Sequence, residues 1–582
     1  MNSPLVGTNA PSRAAIVSDN RFIPATATRP DRPKLRRKSP RYGYPRSRVH
    51  DPCATAGIVD NDSDPPEGPS NPMSTTQTRG RIIMLVDNAV IGDSRVQKQA
   101  RSAAAAGWEV YLLGRAKKRK SRWRIGDAQV RLLEYDNDLG RRPRENRPGY
   151  LRHPLAYRLP RLAEFRRTEA QARVADAHAR LAQASVEGTT TSRALRRADL
   201  KWQKARRRWA LRRAEATEQV AMNRRTLESP IDRFSTSVTK RLLGVRAWRK
   251  FDPHLLEFET TFGPVIDRLK PDIIHANDFR MLGVGARAMW RARAAGRPVK
   301  LVWDAHEFLP GLKPWSAHPH WHTAQILHER EYAPAADAVV TVTEPLAELL
   351  VAEHGLKVSP TVVLNAPLTA TDATLTSSAD IRTSCGLGPD VPLLVYSGAA
   401  APQRGLTTMI EALPLLPGVH AALVVNLPPN NYVQEVIELA HRLGVGDRLH
   451  VLPYVPVEEI VPFLSSATVG IIPAHKWLNH EISLGTKFFE YSHARLPIVT
   501  SNLKAMADMV TETGQGEVFK AEDTADYVRA VNKVLAAPEA YRKAYQDEAL
   551  LASWTWERQA EILDGVYEAL MTEIRLERDT NS

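Results

Sequence analysis

SLGTKFFEYSHARLPIVTS, residues 483–501, begins as a loop, continues as a helix and closes in the apolar run LPIVTS. A short apolar run bounded by turn residues reads as a strand covered on both faces, the signature of a parallel sheet. Upstream, the strand TVGIIPA ends at Ala474, and the polar loop HKWLNHEISLG leads into the helix. Strand, loop, helix and strand in that order are the repeating unit of an open α/β sheet. The helix start near Gly485 and Thr486 offers free backbone N–H groups and a positive dipole end, which suits a phosphate or a sugar hydroxyl. Lys487 stands in the first turn, and Glu490 one turn on is placed to accept hydrogen bonds from a ribose diol. A lone Lys or Glu on a helix is ordinarily a solvated face. This pair gains weight only from what surrounds it.

The same rhythm extends outward. VPLLVYSGA, VHAALVVN and RLHVLPYV precede it from about residue 390, separated by helical segments. An earlier series starts at RIIMLVDNAVIGDSRVQKQARSAAAAGWEVYLLGR (81–115) and resumes at PDIIHAND (271–278), RPVKLVWDAHEF (297–308), ADAVVTVTEPLAELL (336–350) and PTVVLNAP (360–367). Two such series predict two Rossmann-like domains facing a cleft, with ligands beyond the carboxyl ends of the strands. The expected division is a disordered Pro-, Ser-, Asp- and Arg-rich tail over 1–78, an N-terminal domain over 79–370 and a C-terminal domain over 371–555. A final helix over 556–582 is expected to pack back on the N-terminal domain. Met73 directly precedes the ordered part, so the start lies at Met1 or Met73.

Cys53 and Cys385 are the only cysteines, which is no disulfide framework and no metal cluster and suits a reducing cytoplasm. No apolar run reaches the ~18 residues of a spanning helix, and the N-terminus lacks a signal-peptide core. The formal charge of +15 points to an anionic partner: a phosphorylated ligand, an acidic lipid surface or nucleic acid.

Residues 116–255 interrupt the rhythm and read as a basic helical insertion. Two long helices, 160–186 and 192–226, are joined at EGTTT, and residues 161–230 hold 17 Lys/Arg against 8 Asp/Glu. Leu195, Ala198, Trp202, Ala205 and Trp209 fall on one face of the second helix with arginines at the flanks. Tryptophan with arginine on an amphipathic helix is the pattern of an interfacial membrane helix. The competing reading is a hairpin whose apolar stripe packs on itself or on the domain. Nucleic acid ranks last of the three.

YSGAAAPQRGLTTMIEAL (396–413) and SLGTKFFEYSHARLPIVTS resemble the donor-binding half of the family-4 retaining glycosyltransferases, which have the GT-B fold. The resemblance covers about residues 80–115 and 256–570. It implies a nucleoside-diphosphate sugar as donor substrate, with no cofactor and no bound metal, and a sugar or lipid-linked acceptor. It assigns Gly398 and Arg404-Gly405 to the diphosphate loop; a guanidinium fork suits that ligand, and Lys487 supplies a second charge. Glu490 matches the family glutamate that holds the ribose. The glutamate expected eight positions earlier falls on Ile482, with Glu481 beside it and Gly485 matching the glycine that follows. In the N-terminal half the resemblance puts Gly92, Asp93 and Arg95 in the loop facing donor and acceptor. It makes His306 of WDAHEF the histidine near the reacting sugar, with Glu307 beside it. Asn277 and Asp278 end another strand and face the acceptor. Each of these, taken alone, is as readily a strand-end cap.

The expected activity is transfer of a sugar with retention, by same-face attack without a covalent enzyme nucleophile. His306, Arg404 and Lys487 are the catalytic candidates. Arg404, Lys487 and the helix start are read as stabilising the departing diphosphate, since no D-x-D motif follows a strand and no His/Cys cluster has zinc spacing. The expected setting is cell-envelope or polysaccharide assembly in the cytoplasm, peripheral on the inner face of the plasma membrane through 116–250. An epimerase or hydrolase on the same fold, and a catalytically silent scaffold recruited through the basic hairpin, remain open readings because a fold does not fix a reaction.

Overall fold

The computed structural model describes residues 78–116, 121–135, 155–157, 159–187, 190–226, 230–312, 320–369 and 380–581. The tail and both candidate starts lie outside the described residues.

The first sheet joins β1 (Arg81–Leu85), β2 (Glu109–Ala116), β3 (Ser121–Ile125), β4 (Ala128–Glu134), β5 (Ile273–Asn277), β6 (Lys300–Ala305), β7 (Ala338–Thr341) and β8 (Thr361–Val362). Its order is β3-β4-β2-β1-β5-β6-β7-β8, and every pairing is parallel except β3 with β4. Ile82, Ile83, Met84 and Leu85 are fully buried. The run shows no alternation because helices cover both faces, and each such side chain contributes roughly 1.5–3 kcal/mol. The second sheet, β9 (Leu393–Ser397), β10 (His420–Val424), β11 (Leu449–Leu452), β12 (Val469–Ile472), β13 (Ile498–Ser501) and β14 (Gly516–Phe519), is wholly parallel in the order β11-β10-β9-β12-β13-β14. Strand order reverses at β1 in one sheet and at β9 in the other, so the loops after these two strands open at the crevices where α/β sheets bind ligands.

The helices that matter below are α1 (Ser94–Ala105), α2 (Pro160–Glu187), α3 (Thr190–Thr226), α4 (Pro230–Leu243), α5 (Asp278–Ala294), α6 (Leu406–Ala412), α7 (Thr486–His493), α8 (Lys504–Thr513) and α9 (Trp556–Asn581). The last of these leaves the second sheet and buries Leu563, Tyr567, Leu570, Met571 and Ile574 in the core of the first, against Val96 and Ala100 of α1. Trp108 Nε1–H donates to Asp564 at 2.7 Å, and Arg79 pairs with Asp564 and Glu568 at 3.0 and 2.8 Å.

Residues 116–255 are not one helical insertion. β3 and β4 extend the first sheet, because SRWRI alternates half-buried and exposed side chains at strand period. Further on, Trp248, Phe251 and Leu255 join the main core. The inserted hairpin proper is α2 with α3, closed by Val174, Ala177 and Leu200 and by the Arg180–Asp199 pair at 3.3 Å. The expected apolar stripe is not part of that closure: Leu195, Trp202 and Trp209 are 68%, 63% and 51% exposed, and Ala198 and Ala205 are exposed with them. Small and polar residues, Gln203, Ala210, Ala214 and Thr217, take the inner face instead.

Candidate functional site

The C-terminal half of the site grows from two tight turns. β9 ends at Ser397, and Gly398 follows with φ +127°. Lys487 lies directly over it, with Cε and Nζ at 3.4 Å from where a Cβ would stand. Gly405, at φ +71°, closes the turn Pro402–Arg404, and any Cβ there would meet the Pro473 carbonyl at 1.8 Å. Glycine is therefore required, and it brings the Arg404 turn against the end of β12 before α6 begins.

A small pocket results, lined by Tyr396, Arg404, His480, Ser483, Gly485 and Lys487 among others. The Arg404 guanidinium stands 3.5 Å from His480 Nε2, and the Lys487 ammonium sits 4.7 Å from the Tyr396 ring centre. Burial, reinforced by Arg404, brings the Lys487 pKa down to about 7. Burial likewise lowers His480, and Arg404 and Lys487 push it the same way. Glu490 is raised by burial, while Lys98 and Lys487 pull it back. The start of α7 lines the pocket at Gly485 and has no side-chain cap there; the Phe488 N–H is taken by the Gly485 carbonyl at 2.9 Å, and the donors before it carry no side-chain acceptor from the cap position. Among the described residues no carboxylate pairs with Arg404 or Lys487.

Glu481 is turned elsewhere. Its Oε2 accepts the Lys504 N–H at 2.9 Å at the start of α8, and Lys476 stands 3.4 Å from Oε1. Ile482, at the position of the family's first glutamate, accepts a hydrogen bond from Thr343 Oγ1 at 2.7 Å through its carbonyl and packs on the N-terminal core. This stretch joins the two halves.

The N-terminal half centres on a residue the sequence reading passed over. Asp304 is fully buried at the end of β6, and four groups converge on it. Arg95 donates two hydrogen bonds to it, both at 2.9 Å, and Gln99 Nε2 donates a third. His306 Nε2 stands 3.2 Å away and His275 Nε2 3.6 Å. Burial pushes the Asp304 carboxyl up, but Arg95 and His306 outweigh it and hold it well below the usual range. Burial alone would lower His306; Asp304 overcomes that and its pKa rises. His275 Nδ1 in turn faces Tyr567 Oη of α9 at 2.6 Å. The signal was present in WDAHEF, where the carboxylate precedes the histidine by two, so both side chains leave the same face of the strand.

Arg95 is thus not an acceptor contact. It is 4% exposed and its third bond goes to the Val363 carbonyl. Asp93 caps α1, accepting from Val96 N–H at 3.3 Å and from Asn88 Nδ2 at 2.7 Å. Only Gly92 of that trio, at φ +85°, faces open space. Asn277 is buried beside Asp304 in register, with neither side-chain atom bonded. Asp278 has φ +65° at the start of α5, and burial, then the charge of Glu307, brings its pKa up to about 7. Burial raises Glu307 also, against the pull of His306 and of Arg404 from the opposite domain. His306, Asp278, Glu307 and Arg404 are therefore neighbours across the cleft, whereas Arg95 and Asp93 are part of its wall.

A second residue missed in the sequence is Lys98 of α1. Its buried ammonium donates to Asn365 Oδ1 at 3.0 Å and to the Ala366 carbonyl, over the Trp556 ring. Asn365 Nδ2 donates to Thr486 Oγ1 at 2.8 Å. One chain of contacts thus links the N-terminal domain, the interdomain strand end and the first residue of α7. Among the described residues no group of three or more His, Cys, Asp or Glu is placed to hold a metal ion.

Residues 378–549 match the family Glycosyl transferases group 1, and residues 226–366 match Glycosyltransferase Family 4. The two matches, in chain order, support a glycosyltransferase of the family-4 type. Its GT-B fold is shared with sucrose-phosphate synthase from Thermosynechococcus elongatus, at a TM-score of 0.56 and 15% identity over 85% of this chain and 100% of that one. HepE of Anabaena in complex with UDP superposes at 0.50, with 12% identity over 84% and 100%. Among curated glycosyltransferases, the D-inositol 3-phosphate glycosyltransferase of Geodermatophilus obscurus is 25% identical over 43% of this chain and 56% of its own length. That of Mycolicibacterium smegmatis is 23% identical over 47% and 68%. The chain thus spans little more than half the length of the first of these glycosyltransferases.

Proposed function

We propose that this glycosyltransferase moves a sugar from a nucleoside-diphosphate sugar to an acceptor hydroxyl with retained configuration. The reading rests on one observation: Arg404 and Lys487 line one pocket, Lys487 over Gly398, with no carboxylate salt bridge to either among the described residues, beside the uncapped start of α7. Two enclosed cations held next to each other are costly unless an anion completes the site. A diphosphate is the anion whose size and charge fit a guanidinium, an ammonium and a helix start. Glu490 then receives the ribose hydroxyls. His306, whose pKa is raised by Asp304 beneath it, donates to the transferred sugar. Asp278 and Glu307 accept from the hydroxyls of the acceptor. In the transfer step the bond from the anomeric carbon to the diphosphate oxygen breaks, the acceptor oxygen takes its place on the same face, and the acceptor proton leaves with the diphosphate. The two cations stabilise the charge that develops there.

The setting we propose is cell-envelope polysaccharide or glycolipid assembly, on a sugar or lipid-linked acceptor at the cytoplasmic membrane face. No described helix is long and apolar enough to cross a membrane. Incubation with labelled UDP-, GDP-, ADP- and TDP-sugars tests the reading. It predicts selective turnover of one donor, and coupling constants of the product showing the donor's anomeric configuration. Inverted product would refute retention. Binding of a nucleotide without any turnover would favour the silent scaffold, a second reading supported by the engagement of Glu481 with Lys504 and the apolar residue at 482.

A further inference from the structure

The hairpin turns its apolar stripe outward, and that orientation asks for an occupant. More than half of the large apolar side chains exposed among the described residues lie between Leu155 and Val245. On α3, Leu195, Trp202 and Trp209 repeat every seven residues, which keeps them within a narrow arc over about 21 Å of helix. On α4, Phe234, Val238 and Leu242 repeat every four and are exposed as well. Each row is bordered by exposed basic groups: Lys201, Arg206, Arg208 and Arg212 on α3, Arg233 and Arg241 on α4. The hairpin's ion pairs fall on Arg166, Arg167, Arg173 and Arg180. Among the described residues, none engages the four cations bordering the α3 row.

We propose that the outward face of α3, with α4 beside it in sequence, docks on an anionic bilayer surface, indoles in the headgroup layer and guanidiniums on lipid phosphates. The inference rests on the proposed membrane-side setting and names the surface that delivers it. Three features select a bilayer. Each row lies exposed on the convex surface of its own helix, which suits a planar fluid surface better than a folded partner. The local excess of base, 17 against 8 across 161–230, matches acidic headgroups and opposes a second copy of the same face. Tryptophan and leucine at the centre with arginine at the border is the distribution that places a helix in the plane of a membrane interface. Nucleic acid would use the arginines but leave Leu195 and the α4 row without a role.

The test is flotation of the full chain with vesicles of phosphatidylcholine, with and without phosphatidylglycerol. The wild type is expected to float with the anionic vesicles and to bind neutral ones at least about tenfold more weakly. Leu195→Ser/Trp202→Ser/Trp209→Ser is expected to lose about tenfold or more, and Arg206→Gln/Arg208→Gln/Arg212→Gln to lose the preference for anionic lipid. Quenching of tryptophan emission by lipids brominated along the acyl chain gives a second readout on the unmodified protein, and is expected to be strong. Absence of flotation by the wild type overturns the proposal. So does unchanged flotation of the serine variant, or binding to duplex DNA that displaces the vesicles and depends on the arginines alone. Turnover of the nucleotide sugar with a soluble acceptor is read in parallel and is expected to be unchanged in both variants. Loss of vesicle binding with turnover intact separates this inference from the transferase reading.

Discussion

The two sides of the cleft treat their charges in opposite ways. On the N-terminal side the innermost charges are paired: Asp304 receives Arg95, Gln99 and His306, and Arg280 pairs with Asp87, while burial raises the pKa of Asp278 and Glu307 at the cleft. On the C-terminal side Arg404 and Lys487 line one pocket with no carboxylate salt bridge among the described residues, against a ring and an uncapped helix start. A buried, satisfied network holds geometry and is costly to break. An unsatisfied pair of cations costs stability until an anion arrives. The first side is read as a preformed frame that aims His306, the second as a receptor for charge.

The contrast breaks most visibly at Asp304. Asp304→Ala leaves Arg95 buried and unpaired, and is expected to cost about 3–5 kcal/mol of stability, read as a fall in urea midpoint. Next in size is Gly405→Ala, whose new methyl meets the Pro473 carbonyl in a left-handed backbone. About 2–4 kcal/mol is expected by the same measurement. Arg404→Ala is expected to do the reverse of Asp304→Ala. Stability of the free protein stays within about 1 kcal/mol or rises, while nucleoside-diphosphate affinity falls by about 1.5–3 kcal/mol in calorimetry. Glu490→Gln is expected to weaken the same ligand by about 1–2 kcal/mol.

The smallest effect is one of pH. Burial and Arg404 depress the Lys487 ammonium to about 7 in the free protein, and a bound diphosphate raises it. The protonated form is the one that binds. Affinity should therefore be flat below pH 7 and fall as pH rises above it, by up to about tenfold per unit. Titrations in buffers of different ionisation heat, with proton uptake measured above pH 7, check the sign.

Much of this was legible in the chain. Apolar strand runs alternating with helices point to two parallel sheets because burial on both faces erases alternation, and Arg404, Lys487, Glu490 and His306 each follow a strand end, where ligands bind. What escaped has physical reasons. Arg95 and Asp93 stand one turn apart from a loop that faces the cleft, but periodicity does not say that an arginine turns inward to a carboxylate two hundred residues away. Asp304 was overlooked because its partners come from three separate elements. β3 was hidden in a basic run, since arginine at every second position reads as a charge cluster until a neighbouring strand is known. The stripe on α3 was seen, but a helical pattern gives the stripe and not the side it faces; the inner face is closed by residues too small and polar to stand out.

The most direct test of the account titrates UDP, GDP, ADP and TDP into the wild type and Arg404→Ala, with thermal unfolding of the ligand-free proteins measured on the same preparations. The account predicts that one diphosphate binds, that the substitution weakens it about tenfold to a hundredfold, and that the ligand-free variant is no less stable than the wild type. Equal affinity for both proteins, or a variant that loses stability as a broken network would, contradicts the claim that this cation pair is held open for a diphosphate.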